Sequence, residues 1–246
     1  MTLQEAILTR RSTRTFTDCP LSYDVLTGLL PDGATHLYPV SVESLAGSRI
    51  GTYGVIKGRP AYIAVAWDRS RPQDALHAGM EGERAVLAAT CAGLGTVWLG
   101  GTFDRKKTLA RIPVLPANSE IGCVIAVGEA AQRPGMVDRL MRRVVHAAAR
   151  RPLEDLVIDG QIPDLTRPGL EAARLAPSAR NRQPWRFVCR PDGSLDLFGD
   201  PSDGIFTALD CGIALAHFLI AAPDFRLAAP RGSHPTLIPL ASIIPK

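Results

Sequence analysis

The stretch LEAARLAPSARNRQPWRFV, residues Leu170–Val188, combines an alanine-rich segment, a polar loop and an aromatic segment. Its alanine-rich beginning predicts a short helix that ends before Pro177, because the residue preceding a proline avoids the helical conformation. Its end, from Trp185, predicts a strand. The polar loop between them holds a serine, an asparagine and a glutamine, which suit the polar edge of a heteroaromatic ring. The alternative is a loop held together by its own Ser and Asn side chains.

Composition limits the class of protein. The 246 residues are 46% hydrophobic and 21% charged, which is typical of a globular protein with one large domain or two small ones. A net charge of +4 is too small to indicate nucleic-acid binding. This small positive charge suits the binding of a small anionic ligand. The alternative is a solvated surface with a slight excess of lysine and arginine. No GxSxG motif occurs, and neither the cysteines nor the histidines have metal-ligand spacing. We therefore predict no metal site and no nucleophilic side chain, with His217 as a core residue.

The N-terminal stretch MTLQEAILTRRSTRTF lacks the apolar core of a signal peptide. No apolar run is expected to reach the length of a membrane span. The five scattered cysteines stand mostly in apolar runs, which indicates buried thiols in a reducing compartment. We therefore expect a cytoplasmic protein with neither a membrane nor a nucleic acid as partner.

Hydrophobic patterns predict similar elements in both halves of the chain. Each half has strand material and a long alanine-rich helix, at 75–94 in the first and 207–222 in the second. This weak repeat predicts two related half-domains with a junction near residues 150–166. The other predicted elements are an N-terminal helix ending near Arg10, strands at 60–67, 121–129, 185–189 and 195–199, an amphipathic helix at 137–148, and a helix at 170–176.

Two further stretches are candidates for binding chemistry. RRSTRTF, residues 10–16, combines three arginines and a serine beyond a helix end, and guanidinium groups bind phosphate oxygens with paired donors. The alternative is a basic helix terminus whose arginines lie near the last carbonyls. VWLGGTF, residues 97–103, has a glycine pair that lets backbone N–H groups approach a flat ligand, although an ordinary turn has the same pattern. Neither a GxGxxG motif after a strand nor a P-loop motif occurs.

Taken together, these stretches resemble the nitroreductase family of flavin enzymes. The resemblance rests on four motifs and covers most of the chain. They are RRSxRxF at Arg10–Phe16, a GLGTxWLGG-like stretch at Gly93–Gly101, a basic segment RRPLEDLV at Arg150–Val157, and an APSxxNxQPWxF loop at Ala176–Phe187.

The order of the motifs departs from the usual family pattern. The APS loop normally follows RRSxRxF within some tens of residues, whereas here more than 160 residues separate them. The first half reads LLPDGATHLYPV where its own APS loop would stand, and the second half has no RRSxRxF. The chain therefore resembles a subfamily in which two halves, here residues 1–155 and 156–246, are fused. The resemblance implies an α/β (α+β) fold with the halves packed as an internal pseudo-dimer, a monomer in solution, and Arg14 and Ser178 within about one flavin length of each other.

The resemblance also implies how FMN would be bound. Arg10, Ser12 and either Arg150 or Arg151 would hold the phosphate, and Arg11 joins them as a further candidate. Arg14 would lie at the N1–C2 carbonyl edge, where a cation stabilises the charge of the reduced ring. Backbone amides would face N5, and loop residues would cover the pyrimidine edge. The backbone amides are those of Leu99, Gly100 and Gly101, and the loop residues are Pro177, Ser178, Asn181 and Gln183.

The implied activity is transfer of electrons from NAD(P)H through FMN to a small organic acceptor, with no catalytic side chain. Two alternatives stay open at this stage. One is a flavin-binding or sensor module without turnover, and the other is a reaction that fragments the flavin itself.

Overall fold

The computed structural model describes residues 1–40, 55–112, 114–132 and 149–246. The predicted amphipathic helix at 137–148 therefore lies outside the described residues. The chain divides into two compact units, one comprising Met1–Arg69 and Arg84–Ala147 and the other Ser70–Glu83 and Ala148–Lys246. The predicted division after residue 155 stays a prediction.

The first unit is built on an antiparallel sheet of four strands, in which the fourth strand along the chain lies between the second and the third. Its core is formed by apolar side chains such as Val97, Val124 and Phe16. A capping box at Thr2 and Glu5 begins the first helix, as the sequence predicts. The strands are β1 (Leu37–Val40), β2 (Ala61–Asp68), β3 (Gly95–Leu99) and β4 (Ser119–Gly128). The long helix is α3 (Pro72–Cys91), and the short helices are α1 (Leu3–Thr9), α2 (Tyr23–Thr27) and α4 (Arg105–Leu109).

The second unit contains a sheet of five strands, in which the fifth strand along the chain lies between the third and the fourth. The first two strands along the chain are parallel neighbours, and the other neighbours are antiparallel. Within the predicted junction near residues 150–166, the chain forms a helical turn and a short strand. The elements are α5 (Leu153–Leu156), β5 (Val157–Asp159), α6 (Arg167–Arg174), β6 (Trp185–Cys189), β7 (Leu195–Gly199), α7 (Thr207–Ala221), β8 (Phe225–Ala228) and β9 (Ile238–Pro245).

The two sheets share one topology. The antiparallel strands β1 and β2 of the first unit are followed along the chain by α3, whose residues up to Glu83 belong to the second unit. Strands β3 and β4 come next, with β4 inserted beside β2. In the second unit the hairpin β6–β7 is followed by α7 and then by β8 and β9, with β9 inserted beside β7. The weak sequence repeat thus corresponds to a repeated arrangement of elements. This repetition is what a fusion of two half-domains predicts.

Two glycines let α7 approach the first part of α3 within the second unit. A Cβ added at Gly79 would lie 2.1 Å from the carbonyl oxygen of Leu209, and one added at Gly212 would lie 2.0 Å from that of Leu76. The contacts are reciprocal, since Leu76 and Leu209 are separated by 133 positions, as are Gly79 and Gly212. The small residues of both alanine-rich helices therefore serve close packing of backbone on backbone.

The expectation that no apolar run reaches the length of a membrane span is wrong by length and composition. Among the described residues, Gly204–Ala221 form one window that is long and apolar enough to cross a membrane. Core helices pass the same test, and 61% of this window is buried inside the protein. His217, within this window, is fully buried and hydrogen-bonded, which confirms its prediction as a core residue.

Candidate functional site

The RRSTRTF segment lies beside the sheet of the first unit. The N–H of Thr13 donates to the carbonyl oxygen of Thr96 in β3 at 2.8 Å, and Ser12 forms a parallel bridge with Thr96. Further along, the N–H of Phe16 donates to the carbonyl oxygen of Lys57 at 3.0 Å. An added Cβ at Gly95 would lie 2.8 Å from the Thr13 side chain, so only glycine admits this close approach. The segment is thus fixed as an extended chain next to β3.

The side chains of this segment differ in exposure. Arg10, Ser12 and Arg14 are half-buried, and the Nε atoms of both arginines are shielded from solvent. Arg11 is exposed. Guanidinium groups that are held at the protein surface, with their stems packed, present directed donors to an anion at a smaller entropic cost.

The glycine pair follows β3 directly. Leu99 is buried, and Gly100 and Gly101 form a bend beyond it. A Cβ added at Gly101 would have no heavy atom within 4 Å, so the backbone there faces open space. The structure therefore brings RRSTRTF and WLGG together at the same edge strand of the first unit.

The APS loop of the second unit has an unusual backbone. Arg180, Asn181 and Gln183 have φ values of 52°, 57° and 54°, in the left-handed region that side chains disfavour. A bond inside the loop closes it, since the N–H of Gln183 donates to the Ser178 hydroxyl oxygen at 2.9 Å. A second bond comes from outside, since the N–H of Ala179 donates to Oδ2 of Asp210 at 2.9 Å.

Asn181 and Gln183 join this loop to the RRPLE segment. Arg150 donates through Nη1 to Oδ1 of Asn181 at 3.0 Å and through Nη2 to the carbonyl oxygen of Leu175 at 3.1 Å. The backbone N–H of Arg151 donates to Oε1 of Gln183 at 2.9 Å. The structure thus brings four of the predicted residues into one network. The bond between Gln183 and Ser178 is that of the alternative in which the loop is held by its own side chains, whereas the bonds from Arg150 and Arg151 come from outside the loop. The contacts of these residues with a flavin stay a prediction.

Asp200 is a charged neighbour of this network. Hydrogen bonds from the side chain and backbone of Ser202 lower the pKa of its carboxyl, and the positive charges of Arg186 and Arg151 act in the same direction. Arg186 approaches it within 3.6 Å. The cationic side chain of Arg151, itself exposed, therefore has an ionised carboxylate in its surroundings.

Asp210 is hydrogen-bonded to the APS loop, but it is not among the site residues predicted from the sequence. Asp210 is 3% exposed and stands in the first turn of the apolar helix α7. A single carboxylate in an otherwise apolar helix is a signal that could have drawn attention to it, because a buried charge requires partners.

Comparison with known proteins decides the family. The family model described as "Putative TM nitroreductase" matches residues 2–222. The chain belongs to this nitroreductase family. A crystal structure of a "putative nitroreductase" from Thermotoga maritima matches with a TM-score of 0.64 and 22% identity, covering 99% of this chain and 92% of that one, which shows the nitroreductase fold.

Two shorter nitroreductases match less of the chain. A Desulfovibrio desulfuricans protein crystallised with FMN is 25% identical, with a TM-score of 0.44, and the match covers 65% of this chain and 98% of that one. An FMN-dependent nitroreductase of Clostridium difficile is 20% identical, with a TM-score of 0.40, and covers 52% of this chain and 87% of that one. No curated protein sequence matches.

Proposed function

We propose that this nitroreductase-family protein is an FMN-dependent oxidoreductase that passes electrons from NAD(P)H to a small organic acceptor. The observation that carries the proposal is the extended RRSTRTF segment fixed beside β3, with Arg10, Ser12 and Arg14 half-buried. Guanidinium groups and a hydroxyl in five residues match the donor requirement of a phosphate dianion. When bound, FMN would supply hydride acceptance and electron transfer, and the protein would bind and orient its substrates.

The proposed roles follow from the resemblance of the motifs to those of the family. Arg10 and Ser12 bind the phosphate, with Arg11 and one of Arg150 or Arg151 as further candidates. Arg14 places a cation at the N1–C2 carbonyl edge of the ring, where it favours the reduced form electrostatically. The open backbone at Gly101 suits a flat ligand, because no Cβ intervenes. Pro177 and Ser178 cover the pyrimidine edge.

Spectroscopy of the purified protein tests the proposal directly. A flavin absorbance that NADH or NADPH bleaches under anaerobic conditions is the expected result. A yellow protein that neither donor bleaches would favour a flavin-binding module without turnover. A colourless protein that also ignores added FMN would refute both.

Replacing Arg14 by alanine tests the first group of residues. Loss of one charge-assisted contact of about 1.5–3 kcal/mol should weaken FMN binding by roughly 10- to 100-fold. Lysine should retain much of the effect, since a point charge suffices at N1. Titration of FMN followed by flavin fluorescence gives the affinities.

The matched control is Arg226→Ala, which removes an exposed arginine from β8 of the second unit. It should leave FMN affinity unchanged. Equal affinities of wild type and Arg14→Ala would show instead that Arg14 is an ordinary residue beyond a helix end.

We also propose that the protein is a monomer, because the fused halves take the place of two subunits. Light scattering at micromolar concentration should give a mass near 26.4 kDa. A mass near twice that value would contradict the proposal.

A further inference from the structure

The APS loop depends on restraint from outside itself. Three of its residues with side chains adopt left-handed φ values, at Arg180, Asn181 and Gln183. Such a backbone persists only where surrounding contacts enforce it. The bond between Ser178 and Gln183 is internal to the loop, and Arg150 and Arg151 restrain its second half from a neighbouring segment.

Asp210 restrains the first half of the loop. Its Oδ2 accepts the N–H of Ala179 at 2.9 Å across 31 positions of the chain. The carboxylate is 3% exposed and stands in the first turn of α7, a helix of 15 residues whose positive N-terminal end favours a negative charge. The restraint therefore comes from a buried helix of the second unit.

The Ser178–Ala179 peptide is thereby fixed, and with it the Ser178 side chain. The hydroxyl oxygen of Ser178 already accepts a hydrogen bond from the N–H of Gln183. A hydroxyl that accepts one bond still has its own hydrogen to donate. Among the hydrogen bonds of the described residues, none uses the Ser178 hydroxyl as donor. The amides of Asn181 and Gln183, by contrast, are engaged with the backbone and side chains around them.

We propose that Asp210 is the positioning residue of the APS loop, orienting the Ser178 hydroxyl as a hydrogen-bond donor to a carbonyl oxygen of the bound ring. This inference rests on the proposed function and adds to it a residue that does not itself touch the cofactor. It also assigns the polar recognition of the ring by this loop to Ser178, while Asn181 and Gln183 maintain the shape of the loop.

A double-mutant cycle tests whether Asp210 acts through Ser178. Ser178→Ala and Asp210→Ala should each weaken FMN binding about tenfold, as expected for loss of one directed hydrogen bond. The double variant should be no more than about threefold weaker than the weaker single variant, because the second change removes nothing further. Multiplicative losses would overturn the proposal.

Asp210→Asn keeps a carbonyl acceptor for the Ala179 N–H and should restore FMN affinity to within about threefold of wild type. If the alanine variant does not fold, hydrogen exchange at the Ala179 amide of the wild-type protein is the test, since an unprotected amide would overturn the proposal.

Asp196 supplies a matched control in the same unit. It is also 3% exposed, and it accepts hydrogen bonds from Ser242 and Arg190 on the sheet. Asp196→Ala should lower thermal stability without changing FMN affinity by more than about twofold, since its bonds do not reach the APS loop. An equal loss of FMN affinity in both aspartate variants would reduce the role of Asp210 to general stability.

Hydrogen exchange at the Ala179 amide separates this inference from the proposed function. In the absence of any flavin, that amide should be protected in wild type and in Asp196→Ala, and exchange rapidly in Asp210→Ala. An unprotected amide in the wild-type protein would overturn the positioning role. If the wild-type protein is protected at Ala179 but does not bind FMN, the proposed function fails while the loop restraint by Asp210 stands.

Discussion

Replacing Glu83 by alanine is expected to lower the free energy of unfolding by about 3–5 kcal/mol. Glu83 and His217 are both fully buried in the second unit, with Oε1 and Nε2 3.0 Å apart. Nδ1 of His217 lies 3.0 Å from the carbonyl oxygen of Ala172, which only accepts, so Nδ1 carries a hydrogen. A hydrogen must therefore lie between Nε2 and the carboxylate. Deleting Glu83 leaves a buried ring nitrogen without its partner and a cavity around it.

Urea denaturation measures the effect. Glu83→Gln should cost much less than Glu83→Ala, because the amide can donate to an unprotonated Nε2. Glu171→Ala provides the matched control, since it removes a glutamate from a surface pair with Arg174 in the same unit and should cost under about 1 kcal/mol. Similar losses in both alanine variants would show that the buried pair contributes no more than a surface pair.

Gly212→Ala is expected to cost about 3 kcal/mol, at the upper end for overpacking. Its new Cβ would lie 2.0 Å from the carbonyl oxygen and 2.8 Å from the carbonyl carbon of Leu76. Both atoms belong to the backbone of α3, so no side-chain rotation relieves the overlap. Gly79→Ala should cost a similar amount, because its Cβ would meet the carbonyl oxygen of Leu209 at 2.1 Å.

Thermal and urea unfolding of both glycine variants check this prediction. Gly101→Ala is the stability control, since its Cβ would have no atom within 4 Å and should change stability by less than about 1 kcal/mol. Wild-type stability in Gly212→Ala would mean that the two helices have room to separate.

Local sequence signals predicted the long helices and four strands, whereas β1, β3, β5, β8 and β9 were not predicted. The strand predicted at 60–67 is Ala61–Asp68, and that at 121–129 is Ser119–Gly128. The helix predicted at 75–94 ends instead at Cys91, because Gly93 adopts a left-handed φ of 76° and the N–H of Leu94 closes the helix on Ala89. The family was also readable from the motifs, and the family model confirms it.

Long-range partnerships were not readable from local patterns. The bond between Glu83 and His217 spans 134 positions, and the local sequence around either residue does not indicate its partner. The bond from Ala179 to Asp210 likewise requires the packing of α7 against its unit. Strand β5, with three residues, is too short to produce a periodic pattern. Sequence reasoning thus located the polar loop and the helix at 207–222, but not the hydrogen bond between them.

The pairing of RRSTRTF with β3 has a consequence for the behaviour of the protein at high concentration. Strand β3 is at one end of its sheet, and an open edge is a template for association with another chain. The segment around Thr13 covers part of this edge, and its arginines are charges of the kind that oppose strand addition. The same seven residues therefore guard against aggregation. Variants that replace several of these arginines with apolar residues should lose solubility.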